Sequence, residues 1–303
     1  MKNFKLAAIL LLASVFTINS YAQTTPKSTI SVEKISPEIC KVKFANAPVN
    51  LIVPETVSSL NNVIKELGKD EQVKVVIFTS DVAGYFFNHF DLTQFQNFVN
   101  QKGVDNKPLW VERISNLANA PFITIASIKG RTQGGGDELT LAFDLRYASK
   151  EQAVFSQPET GVGLFAGGGG TNLLPRLVGR DRALEVFLSS DDYNAETAER
   201  YGWVTRTLPN AELDVFVNKM ANRLATFDKT ALLTVKKQIT SITLPQEAEL
   251  QTSYTAFLKS LSWPGLQLRM PIFGGMYGKY GIEKVEKNMG YYIGEGNKQL
   301  QNK

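Results

Sequence analysis

The 303-residue chain has one cysteine, Cys40, and one histidine, His89. A disulfide within the chain is therefore impossible. Structural zinc is excluded too, because such sites draw on several Cys or His ligands. Any Ser-His-Asp or Cys-His triad would have to run through His89. Cys40 falls in the strand-like run Ile39 to Phe44, where it reads as a small buried apolar side chain. There is no internal repeat, no low-complexity segment and no basic stripe interleaved with aromatics, so nothing points to nucleic acid. The longest apolar run, Leu6 to Phe16, is too short for a comfortable membrane span.

That run suits another purpose. Lys2 and Lys5 precede it and Ser20-Tyr21-Ala22 follows it, which is the basic, apolar and small-residue order of a secretion signal. Residues 1–22 are expected to be a signal peptide and 23–28 a polar linker, with export to the periplasm or the medium. No cysteine follows the run, so a lipoprotein anchor is not expected. The segment carries two lysines and no acids, so cleavage lowers the net charge from +4 to +2, close to neutral.

The remainder has a globular composition, with 43% hydrophobic and 20% charged residues over the chain. Lys41-Val42-Lys43-Phe44 alternates as a strand does, and VKVVIFT (73–79) and FITIASI (122–128) read as buried strands. PETVSSLNNVIKEL (54–67) has helical apolar spacing, with Pro54 at its start and Gly68 after it. Strands alternate with helices up to about residue 225, and helices alone follow. This predicts an α/β core over 29–225 and a helical C-terminal region over 226–303.

Three segments carry chemistry. Gly134-Gly135-Gly136 stands between a strand and a helix start that contains Glu138. Glycines there leave amide N–H groups unpaired and open to an anion or a developing oxyanion. A tight turn or a dinucleotide loop uses similar glycines, although the G-x-G-x-x-G fingerprint belongs early in a βαβ unit with an acid about 20 residues on. The second segment is Phe86-Phe87-Asn88-His89-Phe90-Asp91-Leu92. The third is Gln157-Pro158-Glu159, with Gly163 and Gly167 to Gly170 after it. Taken singly, Glu138 reads equally as an acid favoured by a helix N-terminus, and Glu159 as a solvated loop residue.

Together these segments resemble the crotonase, or enoyl-CoA hydratase/isomerase, family. IKGRTQGGGDELTLAFDLRYAS and SQPETGVGLFAGGGGTNLLPRLVG follow the family's two motifs in register, and YFFNHFDL stands at its oxyanion loop. The similarity runs from about Val49 to Pro209. It implies an α/β crotonase-like (ClpP/crotonase) spiral of ββα units with an α-helical C-terminal region. It also implies homotrimers or hexamers and the hydratase and isomerase chemistry of fatty acid metabolism. Carried over, the oxyanion-hole amides fall on Phe90 and Gly135, the catalytic glutamates on Glu138 and Glu159, and water and substrate contacts on His89, Gly134 and Gly167.

The chemistry suits those groups. Adding water to an α,β-unsaturated acyl thioester builds negative charge on the carbonyl oxygen, and losing one oxyanion donor costs roughly 10²–10³ in rate. One carboxyl takes a proton from water and the other delivers one to Cα. No metal or redox cofactor is needed, and CoA would arrive as part of the substrate. An exported protein points equally to another activated carbonyl. Asn88-His89-Phe90 replaces the family's small residues, Thr93 stands where many members have a lysine, and PGLQLRMPIFGGMYGKYGIEKVEKNMGYYIG replaces the family's usual C-terminal segment. His89 reads either as an added acid/base group or as a loop residue facing solvent or packed on an aromatic ring. Alternative functions are a hydrolase or isomerase on the same scaffold acting on a non-CoA substrate, and a secreted binding or assembly protein without activity.

Overall fold

The computed structural model describes residues 29–301, so the expected signal peptide and linker lie outside the described residues. From the N-terminal side, β1 (Thr29–Lys34) and β2 (Ile39–Ala45) lead to α1 (Pro54–Lys69), β3 (Val75–Ser80), β4 (Gly84–Tyr85), α2 (Phe95–Asn100) and α3 (Leu109–Ala118). Next come β5 (Ile123–Ile128), β6 (Gly130–Gln133), α4 (Gly135–Thr140), β7 (Leu145–Ser149), β8 (Val154–Ser156), α5 (Glu159–Val162), α6 (Gly170–Val178) and α7 (Arg180–Ser189). Then follow β9 (Asp192–Asn194), α8 (Ala195–Tyr201), β10 (Arg206–Leu208) and α9 (Asn210–Ala225). Further helices follow: α10 (Lys229–Thr243), α11 (Glu247–Ser260), α12 (Pro264–Tyr280), α13 (Ile282–Lys287) and α14 (Met289–Gln301).

Two sheets result. One has the order β1-β2-β3-β5-β7-β10 and is parallel except for the β1–β2 pair. The other has the order β4-β6-β8-β9, with only β8–β9 antiparallel. This is the expected crotonase-like α/β fold with a helical C-terminal region. Side chains alternate across a strand, and here both faces are buried. Val75, Ile77 and Ile125 face Leu213, Val217 and Ala221 of α9. Val76, Phe78 and Ala126 face the larger core, which includes Val57, Leu60 and Ile64 of α1. Cys40 lies buried in that larger core. α11 joins the larger core through Leu250, Tyr254 and Phe257, and α12 to α14 carry a small core of their own around Phe273, Met276, Val285 and Tyr292.

The parallel strands of the first sheet all end on one side. The second sheet is short because its strands run only two to four residues. It holds the loops after β4, β6 and β8 side by side, and those loops carry the three chemistry-bearing segments.

Candidate active site

The site begins with backbone. Gly134, between β6 and α4, has φ 53°, a conformation that a residue with a side chain rarely adopts. Gly136 lets the first turn of α4 approach the oxyanion loop closely, since a Cβ there would lie 2.2 Å from the Phe87 carbonyl oxygen. The loop itself is pinned by Ile52, whose N–H donates to His89 O (3.0 Å) and whose carbonyl accepts from Asp91 N–H (2.9 Å). In such a parallel bridge the N–H of the intervening residue, Phe90, points to the opposite side. Gly135 opens α4, so its amide has no acceptor within the helix. Neither amide donates to a protein acceptor among the described residues. The Phe90 ring covers Gly135, with a ring carbon 2.8 Å from where a Cβ would sit. It packs on Trp110 (4.3 Å between centroids) and Phe98 (4.8 Å).

Glu138 and Glu159 enter this region from α4 and α5. Asp137 ties their segments together: it accepts from Gln157 Nε2 (2.7 Å) and Trp203 Nε1 (3.1 Å), deep in the core. Glu138 is buried, and its Oε1 accepts from the amides of Gly168 (2.8 Å) and Gly170 (2.9 Å) at the N-terminus of α6. Burial pushes its pKa up to about 7, against the pull of those two amides and of the Arg113 guanidinium. Glu159 has no comparable support. Its Oε2 is buried without a hydrogen-bond partner among the described residues. Burial, and then the charge of Glu138, push its pKa well above the usual carboxyl range. Two like groups thus share one dry region with unequal affinities for a proton.

Gly134 adjoins both Glu159 and His89. A Cβ there would meet Glu159 Oε1 at 2.8 Å and His89 Cβ at 3.0 Å. Gly167 is different. A Cβ on it would lie 2.2 Å from Ser253 O, so it is turned toward α11, and the amides at the carboxylate belong to Gly168 and Gly170 instead. A side chain at Gly167 is therefore barred by α11.

His89 is half-buried, and neither of its ring nitrogens is free. Its Nδ1 lies 2.8 Å from Phe90 O and its Nε2 3.0 Å from Glu286 Oε1. Burial would lower its pKa, but the charge and hydrogen bond of Glu286 dominate and raise it to about 9. Thr93, at the position of the missing lysine, donates to Asp91 in a local turn. Sequence reasoning missed Glu286. It is fully buried beside Val285 in the short helix IEKVEK, where a carboxyl among charged neighbours gives no warning of burial. The only available signal was the lone histidine and its need for an acceptor. Arg113 was missed as well. Its guanidinium stacks 3.7 Å over Trp110, and its nitrogens have no hydrogen-bond partner among the described residues.

Comparison with known proteins gives the same fold. A family model described as enoyl-CoA hydratase/isomerase matches residues 34–262. A solved candidate enoyl-CoA hydratase from Streptomyces avermitilis is 36% identical, with a TM-score of 0.82 over 88% of this chain and 96% of that one. DspI from Pseudomonas aeruginosa is 28% identical, with a TM-score of 0.63 over 70% and 86% of the two chains. An enoyl-CoA hydratase from Mycobacterium avium subsp. paratuberculosis, at 24% identity and a TM-score of 0.70 over 78% and 95%, shares the fold.

Proposed function

The chain belongs to the enoyl-CoA hydratase/isomerase family, and from that membership and the geometry above we propose that it adds water across the double bond of an α,β-unsaturated acyl thioester or a related activated carbonyl. Glu138 takes a proton from water as the oxygen bonds to Cβ. The π electrons move toward the carbonyl oxygen, which the amides of Phe90 and Gly135 receive. Glu159 then gives its proton to Cα, and the proton on Glu138 passes back to restore the pair. The observation that carries this reading is the inequality of the carboxyls. Glu138, held by two amides, gives up its proton the more readily of the two, whereas Glu159 lacks a donor at Oε2 and holds its proton more tightly. CoA, where present, arrives with the substrate.

Glu138→Gln and Glu159→Gln are each expected to lower kcat on a short enoyl thioester by roughly 10²–10⁴. Far-UV circular dichroism should be unchanged. Unaltered turnover in both variants removes the mechanism. Export belongs to the same proposal, and Gln23 is expected as the first residue of the native protein on N-terminal sequencing. So does a trimeric or hexameric state, which light scattering of the purified protein checks. The second reading is a binding protein that keeps the fold. The Phe90 ring lying over Gly135 favours it, and a wild type inert on both thioester and non-thioester unsaturated substrates would establish it.

A further inference from the structure

The C-terminal segment departs most from the family pattern, yet it reaches into the candidate site at one point. Glu286 of α13 accepts four hydrogen bonds: from Asn88 Nδ2 (3.0 Å) and Gln133 Nε2 (2.7 Å) at Oε2, and from Tyr277 OH (2.8 Å) and His89 Nε2 (3.0 Å) at Oε1. Three of these donors belong to the core and the fourth to α12. Four donors on a fully buried carboxyl hold it as a carboxylate, and its pKa lies below the usual range although burial alone would raise it.

The protonation state of His89 follows from its partners. One ring nitrogen faces a backbone carbonyl and the other a carboxylate, and both are pure acceptors. A neutral imidazole carries a single N–H, so a ring that donates at both nitrogens is an imidazolium. The charged groups facing it are Glu286 from α13 and Glu159 from α5. Its Nδ1–H fixes the Phe90 carbonyl, and with it the peptide plane next to the Phe90 amide.

We propose that Glu286 and His89 are positioning residues for the hydration proposed above: through them the C-terminal helices fix the oxyanion loop at Phe90 and place one positive charge beside Glu159. The inference rests on that functional reading. Neither residue exchanges a proton with substrate, since both ring nitrogens are engaged. The charge instead limits how tightly Glu159 holds its proton, which keeps that proton transferable to Cα.

His89 is the only histidine, so its imidazole resonances are a single-site probe in the full chain. In the wild type they should titrate near pH 9, as the raised pKa requires. In Glu286→Gln the midpoint should fall by about two units or more, toward the ordinary histidine range. His89→Gln should lower kcat by roughly 10–100-fold with KM within about threefold, because the loss falls on the transition state. It should also move the alkaline limb of the pH–rate profile to higher pH, which loss of packing alone does not do. Glu286→Gln should match it in kcat, and the double variant should be no worse than either single one. If Glu286→Gln does not fold, His89→Gln still decides between the outcomes, since it lies on a partly exposed loop and leaves Glu286 three donors. Titration of wild-type His89 at or below the ordinary value overturns the pair. So does an active wild type whose kcat and alkaline limb are unmoved in His89→Gln. A wild type with no turnover overturns the hydration reading instead, and the His89 titration then decides whether the pair exists.

Discussion

Glu138 and Glu159 are the same side chain set in two different loops. Glu138 sits where three glycines, Gly134 to Gly136, and a second glycine run, Gly167 to Gly170, meet across the core. Amides from the second run close on one oxygen of its carboxylate. Glu159 opens a four-residue helix after β8, and no donor reaches its Oε2. The difference teaches that acid and base are assigned by the backbone around a carboxyl, not by the carboxyl itself. Removing or crowding either support should erase the distinction.

The largest effect is expected from Gly168→Ala. A Cβ there would lie 2.1 Å from Glu138 Oε2 and 2.7 Å from Trp110 Nε1, so the carboxylate must move off its amides. We expect kcat to fall by roughly 10² or more, as for loss of a positioned acid/base group, with about 1–3 kcal/mol of destabilisation from overpacking. Steady-state kinetics and urea unfolding measure the two separately. Gly134→Ala tests the other side. It forces a side chain into φ 53° and against Glu159 Oε1, so it should lose activity too, with a larger share of the damage in stability.

The next effect is on stability against pH. A folded-state carboxyl with a raised pKa holds its proton where the unfolded chain has released it. Stability therefore falls as pH rises through that window. For Glu138 the window runs from the ordinary glutamate value, 4.5, to about 7. At about 1.4 kcal/mol per unit, this amounts to on the order of 3 kcal/mol. Glu159, raised further, extends the fall to higher pH. Urea midpoints measured across this range should drop for the wild type, and the drop should be markedly shallower in Glu138→Gln. Equal slopes would mean that Glu138 is not the more readily ionised member of the pair.

Much of this arrangement was legible in the sequence, for physical reasons that differ by region. The alternation Lys41-Val42-Lys43-Phe44 is sufficient to place β2, whose two faces differ in burial, and the β-branched run before Thr79 places β3, because a strand buried on both faces leaves few other residue choices. The glycine runs were readable because close backbone approach favours glycine there, and both glutamates only through their register with the family's motifs, since taken singly each has an ordinary alternative. The strands β9 and β10 were not readable: three residues give no periodicity, and their pairing is set by β8 and β7. The covering of Gly135 by the Phe90 ring, the turning of Gly167 toward α11 and the Glu286–His89 contact were equally hidden. Each depends on where segments far apart in sequence meet, and the His89 contact spans 197 residues.

The smallest test of the comparison sets one conservative deletion against another. Trp110 Nε1 donates to Gly168 O at 2.8 Å, steadying the peptide whose neighbouring amide holds Glu138. On the other side, Ser190 Oγ accepts from Gly161 N–H at 2.8 Å, steadying the turn that carries Glu159. Trp110→Phe and Ser190→Ala each remove one such bond and keep most of the packing, so each should cost about 1 kcal/mol and a few-fold in kcat. Their pH profiles should separate them. Weakening the Gly168 anchor makes Glu138 harder to ionise, which moves the acid limb to higher pH. Loosening the Glu159 turn leaves that limb in place and disturbs the alkaline one. If both variants shift the same limb, the two carboxyls titrate as one indivisible unit, and the division of labour between their loops is wrong.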